Sequence, residues 1–139
     1  MAERDCRAIV TDLYAAYARR DFDWVAALIH DNIDWVIYAP MSVFPFAGPR
    51  RGRAAVLAAM AEIAKSFSLE SYKPEVVLID GARAALISNV SYRQRSTGRV
   101  LRLRIAGFLR LQDGRVTEYR EFIDSFDAVE QALGRQLQL

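Results

Sequence analysis

Residues 72–124 have the sequence YKPEVVLIDGARAALISNVSYRQRSTGRVLRLRIAGFLRLQDGRVTEYREFID, and this stretch decides the fold class. Along most of it, apolar and polar residues alternate with a period of two, as in strands that bury one face. The DG dipeptides at 80–81 and 113–114 are typical of tight hairpin turns, and STG at 96–98 is a slightly longer turn of similar chemistry. The stretch therefore predicts four strands connected as a meander.

The N-terminal half has the three- and four-residue spacing of apolar side chains that marks amphipathic helices. This spacing predicts a first helix from about Ala2 to Arg20 and a third helix from about Arg53 to Phe67. Between them, Asp21 is a suitable N-cap for a short second helix that ends near residues 31–32.

A strand and an apolar loop separate the second and third predicted helices. Residues 33–38 are rich in β-branched and aromatic side chains, which predicts a strand, whereas the prolines and glycines of residues 40–52 predict a loop. The loop carries four large apolar side chains, Met41, Val43, Phe44 and Phe46. We expect it to fold over something, because such a load is unusual for solvent-exposed chain.

A short final helix is indicated by a capping-box arrangement of Asp127 and Glu130, with Gly134 as its stop. The whole order is helix, helix, strand, helix, four-strand meander, helix. It predicts an α+β fold in which helices cover one face of the sheet. A strongly curved sheet with helices across its mouth leaves a cavity where ligands commonly sit. No linker or repeat is visible, so residues 1–139 are expected to form one domain.

Composition argues against several classes of function. The chain has 139 residues, 53% hydrophobic and 26% charged, which favours a folded domain over intrinsic disorder. Its formal net charge of +2 provides no strong field to recruit nucleic acid or an anionic membrane. The arginines of residues 93–104 have no interleaved aromatic residues of the kind that stacks on bases, so we interpret them as a solvated or interface-lining hairpin.

The single cysteine, Cys6, cannot form an internal disulfide, which fits a reducing compartment. No secretory leader pattern and no apolar run of membrane-spanning length is visible, so we expect a cytoplasmic protein. His30 is the only histidine, which excludes a histidine-rich metal site, and no glycine-rich phosphate loop follows a strand. The sequence predicts neither a metal nor a cofactor.

The order of elements, with YAAY at 14–17 leading into DFD at 21–23, resembles the NTF2-like superfamily. That superfamily includes ketosteroid isomerases, SnoaL-type polyketide cyclases and limonene epoxide hydrolase. FAGPRRG at 46–52 resembles the lid loop of SnoaL-like proteins, and DGRVTEYREFID at 113–124 resembles their last hairpin. The resemblance covers almost the whole chain and implies the NTF2-like (cystatin-like) cone, a curved mixed or antiparallel sheet with three helices from the N-terminal half and a short C-terminal helix.

In this superfamily the concave sheet face and the first and third helices line a conical pocket, and the convex face often forms a homodimer. The resemblance therefore implies a site for a small, mostly apolar molecule. Its expected lining residues are Tyr14 or Tyr17, Trp35, Phe44, Phe46, Met60, Phe108, Phe122 and Asp124. Each aromatic residue taken singly is also compatible with ordinary core packing.

A homodimer through the convex face is also expected from the meander itself. It has apolar residues on both faces, more than three short helices can cover. Examples are Val76, Leu78, Leu86 and Ile87.

The sequence lacks some of the catalytic residues that two enzymes of this superfamily use. Ketosteroid isomerases use a first-helix tyrosine, a second acid and a proton-moving aspartate, and these fall here on Leu13, on residue 106 or 107, and on Ile37. Tyr14 is one residue from the tyrosine position. Limonene epoxide hydrolase uses two aspartates and an arginine; Asp124 resembles one aspartate, but the Arg-x-Asp pair of the middle strand is missing.

SnoaL-type cyclases need mainly a shaped apolar cavity and one acid/base group, for which Asp124 is the candidate. By period two, Glu118, Arg120, Phe122 and Asp124 share one strand face, so Arg120 would hold Asp124 ionised or bind a ligand carbonyl. Alternatively Asp124 caps the C-terminal helix or pairs with a surface arginine. A β-bulge would also upset the parity.

Two hypotheses about function follow. One is a cofactor-independent acid/base enzyme, of isomerase or cyclase type, that acts on a small apolar carbonyl compound such as a polyketide, steroid or terpenoid. Its catalytic residues would be Asp124, Arg120 and Tyr14. The other is a noncatalytic binding or dimerisation module of the same fold, and an epoxide hydrolase is a lesser alternative.

Overall fold

The computed structural model describes residues 3–139, which form four helices and one six-stranded sheet. The helices are α1 (Glu3–Ala18), α2 (Phe22–Leu28), α3 (Arg53–Ser66) and α4 (Ser125–Leu133). The strands are β1 (Ile29–Tyr38), β2 (Gly48–Arg51), β3 (Phe67–Asp80), β4 (Arg83–Gln94), β5 (Val100–Gln112) and β6 (Arg115–Phe122). The predicted start of the first helix at Ala2 lies outside the described residues.

The sheet has the strand order β2-β1-β6-β5-β4-β3, and only β1 and β6 are parallel neighbours. Breaks in register interrupt the β1–β6, β3–β4 and β5–β6 pairings. Bulges of this kind bend strands and increase their twist. The result is a sheet that curls without closing, and α1 and α3 pack across its concave face. The predicted NTF2-like α+β cone is confirmed.

Two boundaries differ from the sequence-based expectation. α2 ends at Leu28, earlier than predicted, because Ile29 and Ile33 are fully buried in strand β1. Part of the predicted loop forms the short edge strand β2, whose Pro49 is tolerated because an edge strand does not need every N–H for pairing. Gly48 begins this strand with φ of 89° and lies so close to Met41 that a Cβ there would stand 2.6 Å from its sulfur.

Helix α4 begins one turn earlier than the capping box at Asp127 suggested. Its N-cap is Asp124, whose Oδ1 accepts a 3.1 Å hydrogen bond from the backbone N–H of Asp127. Gly134 ends the helix in the left-handed conformation, as predicted. The side-chain amide of Gln131 then bonds both backbone groups of Arg102, at 2.7 and 2.9 Å, where β5 extends beyond its pairing with β6.

No helix among the described residues combines the length and apolar character needed to cross a membrane.

Candidate active site

A cavity of about 90 Å³ lies between the concave sheet face, the helices α1 and α3, and the loop at residues 39–47. Its walls are almost entirely apolar. Six residues expected from the sequence line it, namely Tyr14, Tyr17, Trp35, Phe44, Phe46 and Met60. The apolar loop thus folds over the cavity through Phe44 and Phe46, as its composition suggested.

Four other expected site residues lie outside the cavity, and for Arg120 and Phe122 the reason is the parity of β6. Residues 119, 121 and 123 face the cavity, so the alternate residues face the outer side of the sheet. Phe108 and Phe122 are 50% and 45% exposed on that outer side, with ring centroids 5.9 Å apart. The expectation that they line the pocket is wrong.

Arg120 belongs to the same outer side. Its guanidinium bonds the backbone oxygen of Asp34 at 3.0 Å and lies 3.2 Å from the Asp34 carboxylate and 3.7 Å from that of Glu118. None of the ion pairs between described residues joins Arg120 to Asp124. The predicted pairing of Arg120 with Asp124 is therefore wrong.

Asp124 is exposed and its carboxylate caps helix α4. The alternative that it caps the C-terminal helix is confirmed, and its predicted position in the pocket is wrong. Asp124 follows the end of β6, where the chain turns into the helix, so strand alternation no longer determines where its side chain points.

Glu121 is the carboxyl group that the cavity contains, and no sequence pattern singles it out. Of the described residues that line the cavity, Glu121 is the one acidic side chain and none is basic. Burial raises the pKa of the Glu121 carboxyl from its usual 4.5 to about 7, while a hydrogen bond from Tyr119 acts in the opposite direction. A carboxyl group with this pKa exchanges a proton readily near neutral pH.

The cavity also holds a cluster of tyrosines, of which Tyr14, Tyr92 and Tyr119 are buried while Tyr17 and Tyr72 are half-buried. Burial raises the pKa of each, so their hydroxyls keep their protons at neutral pH: Tyr14, Tyr17, Tyr72, Tyr92 and Tyr119. The Tyr17 and Tyr92 hydroxyls are 2.9 Å apart. The Tyr72 ring contacts those of Tyr14 and Tyr17, with centroids 5.7 and 5.6 Å away.

Tyr14 and Tyr119 bring two of these hydroxyls together beside Gly107. A hydrogen bond with Tyr119 lowers the pKa of Tyr14, against the larger effects of burial and of the Glu121 charge. A Cβ at position 107 would stand 2.7 Å from the Tyr14 hydroxyl and 3.5 Å from that of Tyr119. Glycine at this position therefore leaves room for the hydroxyl pair next to Glu121.

Trp35 completes this wall of the cavity. It is paired in register with Tyr119, and the two rings stack with centroids 4.1 Å apart and an interplanar angle of 26°. Its indole Nε1–H is buried, and no group among the described residues accepts a hydrogen bond from it.

No cluster of three or more His, Cys, Asp or Glu side chains within residues 3–139 is arranged to hold a metal ion. The chemistry that the described cavity residues can perform is therefore that of one carboxyl group, several phenolic hydroxyls and an indole N–H in apolar surroundings.

The curled sheet, the covering helices and the internal cavity define an NTF2-like domain with an apolar interior. The chain belongs to the SnoaL-like domain family, whose model matches residues 10–119. No curated protein matches the chain.

Solved structures extend the comparison. A candidate isomerase from Rhodopseudomonas palustris shares 40% identity with a TM-score of 0.85, over 97% of this chain and 100% of that chain. An NTF2-like protein from Burkholderia xenovorans LB400 shares 28% identity with a TM-score of 0.81, over 95% and 98%. An LEH-like epoxide hydrolase from M. tuberculosis, at 17% identity and a TM-score of 0.78 over 95% and 92%, shows the fold alone.

Proposed function

We propose that this protein is a cofactor-independent acid/base catalyst that moves a proton on a small apolar carbonyl compound, with Glu121 as the proton-transferring group. The observation that carries the proposal is a lone carboxyl group with its pKa raised to about 7 inside an apolar cavity. The 40% identity with a candidate isomerase supports the same class of reaction.

The proposed step is the transfer of a proton between carbon and Glu121. The ionised carboxylate takes a proton from the carbon next to the carbonyl, the C–H electron pair forms a C=C bond, and charge develops on the carbonyl oxygen. When the substrate is a β,γ-unsaturated carbonyl compound, the charge extends to the γ-carbon, and return of the proton from Glu121 to that carbon completes an isomerisation. In a saturated ketone the proton returns to the α-carbon and the result is exchange. Tyr14 remains protonated, so its hydroxyl is a donor near the charge that develops, while the Tyr119 hydroxyl donates to Glu121.

The size of the cavity favours a small substrate. Pockets for drug-sized ligands have volumes of about 300–1,000 Å³. An engineered cavity of about 150 Å³ in another protein binds benzene. The cavity here, at about 90 Å³, fits a five-membered ring or a short acyclic fragment with little relaxation. A steroid or polycyclic polyketide would require the loop at residues 39–47 to move outward.

A noncatalytic binding module of the same fold is the second candidate. It is favoured by the absence of a second acid or base among the described residues that line the cavity. The same observation gives no support to an epoxide hydrolase mechanism, which requires two carboxylates.

Exchange of α-protons separates the two candidates without knowledge of the natural substrate. Cyclopentanone in D₂O exchanges its α-protons by general base catalysis, and proton NMR follows the loss of signal. We expect the protein to accelerate exchange and Glu121→Gln to lower the catalysed rate by about 10²–10⁴. Asp124→Asn, outside the cavity, is the matched control and should retain the rate. Equal exchange rates for the protein and Glu121→Gln would contradict catalysis by Glu121 and favour the noncatalytic binding module.

We also propose that the protein forms a homodimer through an outer patch composed of Tyr38, Val76, Leu78, Ile87, Phe108 and Phe122, all exposed. Leu86, which the sequence predicts on the dimer-forming face, is buried instead. The row of cross-strand partners Asp34, Glu118, Arg110, Arg83 and Asp80 borders the patch. Because this row carries both signs of charge, a second copy related by two-fold symmetry can supply the complement.

A further inference from the structure

Trp35, a residue that lines the cavity, carries a buried indole N–H without an acceptor. Trp35 is only 7% exposed, and none of the described residues accepts a hydrogen bond from its Nε1. Leaving a buried N–H unpaired is costly, and buried Trp side chains usually find a partner for this group.

Packing explains the ring of Trp35 but not its N–H. The stacking on Tyr119 would be served equally well by phenylalanine, which carries no polar atom. The Tyr119 hydroxyl donates to Glu121 at 2.6 Å, and its oxygen accepts no bond from Trp35 Nε1. Other buried polar atoms without partners among residues 3–139 belong to Arg20, Arg50 and Ser88, and none of those residues lines the cavity. Of the four residues that carry such atoms, Trp35 is the one that also lines the cavity.

We propose that Trp35 Nε1–H donates a hydrogen bond to an oxygen of the ligand, so the cavity selects small carbonyl compounds over hydrocarbons of the same shape. The choice of a carbonyl rests on the proposed proton transfer. An indole N–H is a donor only and has no means of accepting a bond, so it recognises an acceptor oxygen. The register places Trp35 beside Tyr119, and Tyr119 holds Glu121, so one wall of the cavity presents both the donor and the acid/base group.

This arrangement gives Trp35 a role in the reaction. As Glu121 removes the α-proton, the C–H bond breaks, the C=C bond forms and negative charge moves onto the carbonyl oxygen. A fixed donor at that oxygen stabilises the enolate more than the neutral ketone. When Glu121 returns the proton, the charge leaves the oxygen.

The test is an NMR titration of the indole signals. The chain has two tryptophans, Trp24 and Trp35. Trp24 is 44% exposed and does not line the cavity, so its signal is an internal control. Trp35→Phe assigns the Trp35 signal by its disappearance. The probes are cyclopentanone and methylenecyclopentane, which share a shape but differ in the acceptor oxygen.

We expect cyclopentanone to move the Trp35 indole proton downfield while the Trp24 signal stays in place. Methylenecyclopentane should bind about tenfold more weakly than the ketone, and Trp35→Phe should lose most of this preference. A Trp35 signal unaffected by the ketone, whether other cavity signals respond or not, would overturn the proposal. So would an unchanged preference for the ketone in Trp35→Phe.

Glu121→Gln separates this inference from the proposed function. If Trp35 responds to the ketone in both the protein and Glu121→Gln, but neither accelerates α-proton exchange, the donor role stands and the catalytic role fails. If the protein accelerates exchange in a Glu121-dependent manner while the Trp35 signal never responds, catalysis stands and the assignment of Trp35 is overturned.

Discussion

The hydroxyl of Tyr119 donates a 2.6 Å hydrogen bond to Oε1 of Glu121, two residues further along β6 and on the same concave face of the sheet. This bond fixes the carboxyl group at the cavity wall while burial raises its pKa. An isolated carboxyl group in an apolar cavity would otherwise have little to determine its orientation. The pair is therefore the centre of the proposed site.

The raised pKa of Glu121 predicts a specific dependence of stability on pH. The folded state holds this proton more tightly than the unfolded state, so the free energy of unfolding falls as the pH rises from about 4.5 to about 7. The stabilising contribution is complete below that window and lost above it. A pKa raised from 4.5 to about 7 corresponds to about 3 kcal/mol at most.

Chemical denaturation at pH 5 and pH 8 checks this dependence. Glu121→Gln has no titrating group at position 121, so its free energy of unfolding should fall less than that of the original protein between these two pH values. The difference between the two losses isolates Glu121 from all other titrations. Identical losses would show that Glu121 titrates alike in the folded and unfolded states.

Gly107→Ala should destabilise the protein by about 1–3 kcal/mol, because the new Cβ would stand 2.7 Å from the Tyr14 hydroxyl. Tyr14→Phe removes that oxygen, so the double variant should recover part of the loss. Thermal or urea unfolding of the four proteins in this cycle measures the coupling. Strict additivity would contradict the contact.

Asp124 should matter for stability and not for proton transfer. Asp124→Ala removes the N-cap of α4 and should cost about 1 kcal/mol, whereas Asp124→Asn keeps an acceptor and should cost much less. Both variants should retain the rate of α-proton exchange. A large loss of rate in Asp124→Asn without loss of stability would return Asp124 to the catalytic role that the sequence suggested.

The outer patch predicts dimerisation at micromolar concentration. Phe108→Glu places a charge in the middle of this apolar surface and should shift the protein to monomer. Trp24→Glu changes an aromatic residue of similar exposure on α2 and is the matched control. Sedimentation equilibrium measures the mass of each. A monomer for the unmodified protein would remove the proposal.

Much of the fold follows from local signals in the sequence. The hairpin dipeptides at 80–81 and 113–114 lie at the turns of the meander, and Asp21 caps α2 with a 3.1 Å bond to the N–H of Trp24. Strand β2 was missed because four residues that include proline give no strand pattern, and only pairing with β1 defines them. The capping box at Asp127 indicates a start of α4 that is one turn too late, since Asp124 and Asp127 are both acceptable caps and the sequence leaves the choice open.

The sequence predicts the aromatic and apolar residues of the cavity, but it does not predict which acidic residue lies there. The predicted alternation of side chains between the two faces of β6 is correct. Each face, however, carries an aromatic and a charged residue: Tyr119 and Glu121 on one, Arg120 and Phe122 on the other. With no contrast in polarity, the sequence does not tell which face is concave. Shifting the assignment by one residue exchanges the two faces completely. The curvature of the whole sheet determines which face of β6 lines the cavity.

The most direct test of the account is the pKa of Glu121, measured by following its side-chain carboxyl carbon in a carbon-13 NMR titration. Glu121→Gln assigns the signal by its disappearance. We predict a midpoint of about 7 for Glu121. A midpoint near the usual 4.5 would contradict the account, because an ordinary solvated carboxyl group would then occupy the position assigned to the buried acid/base.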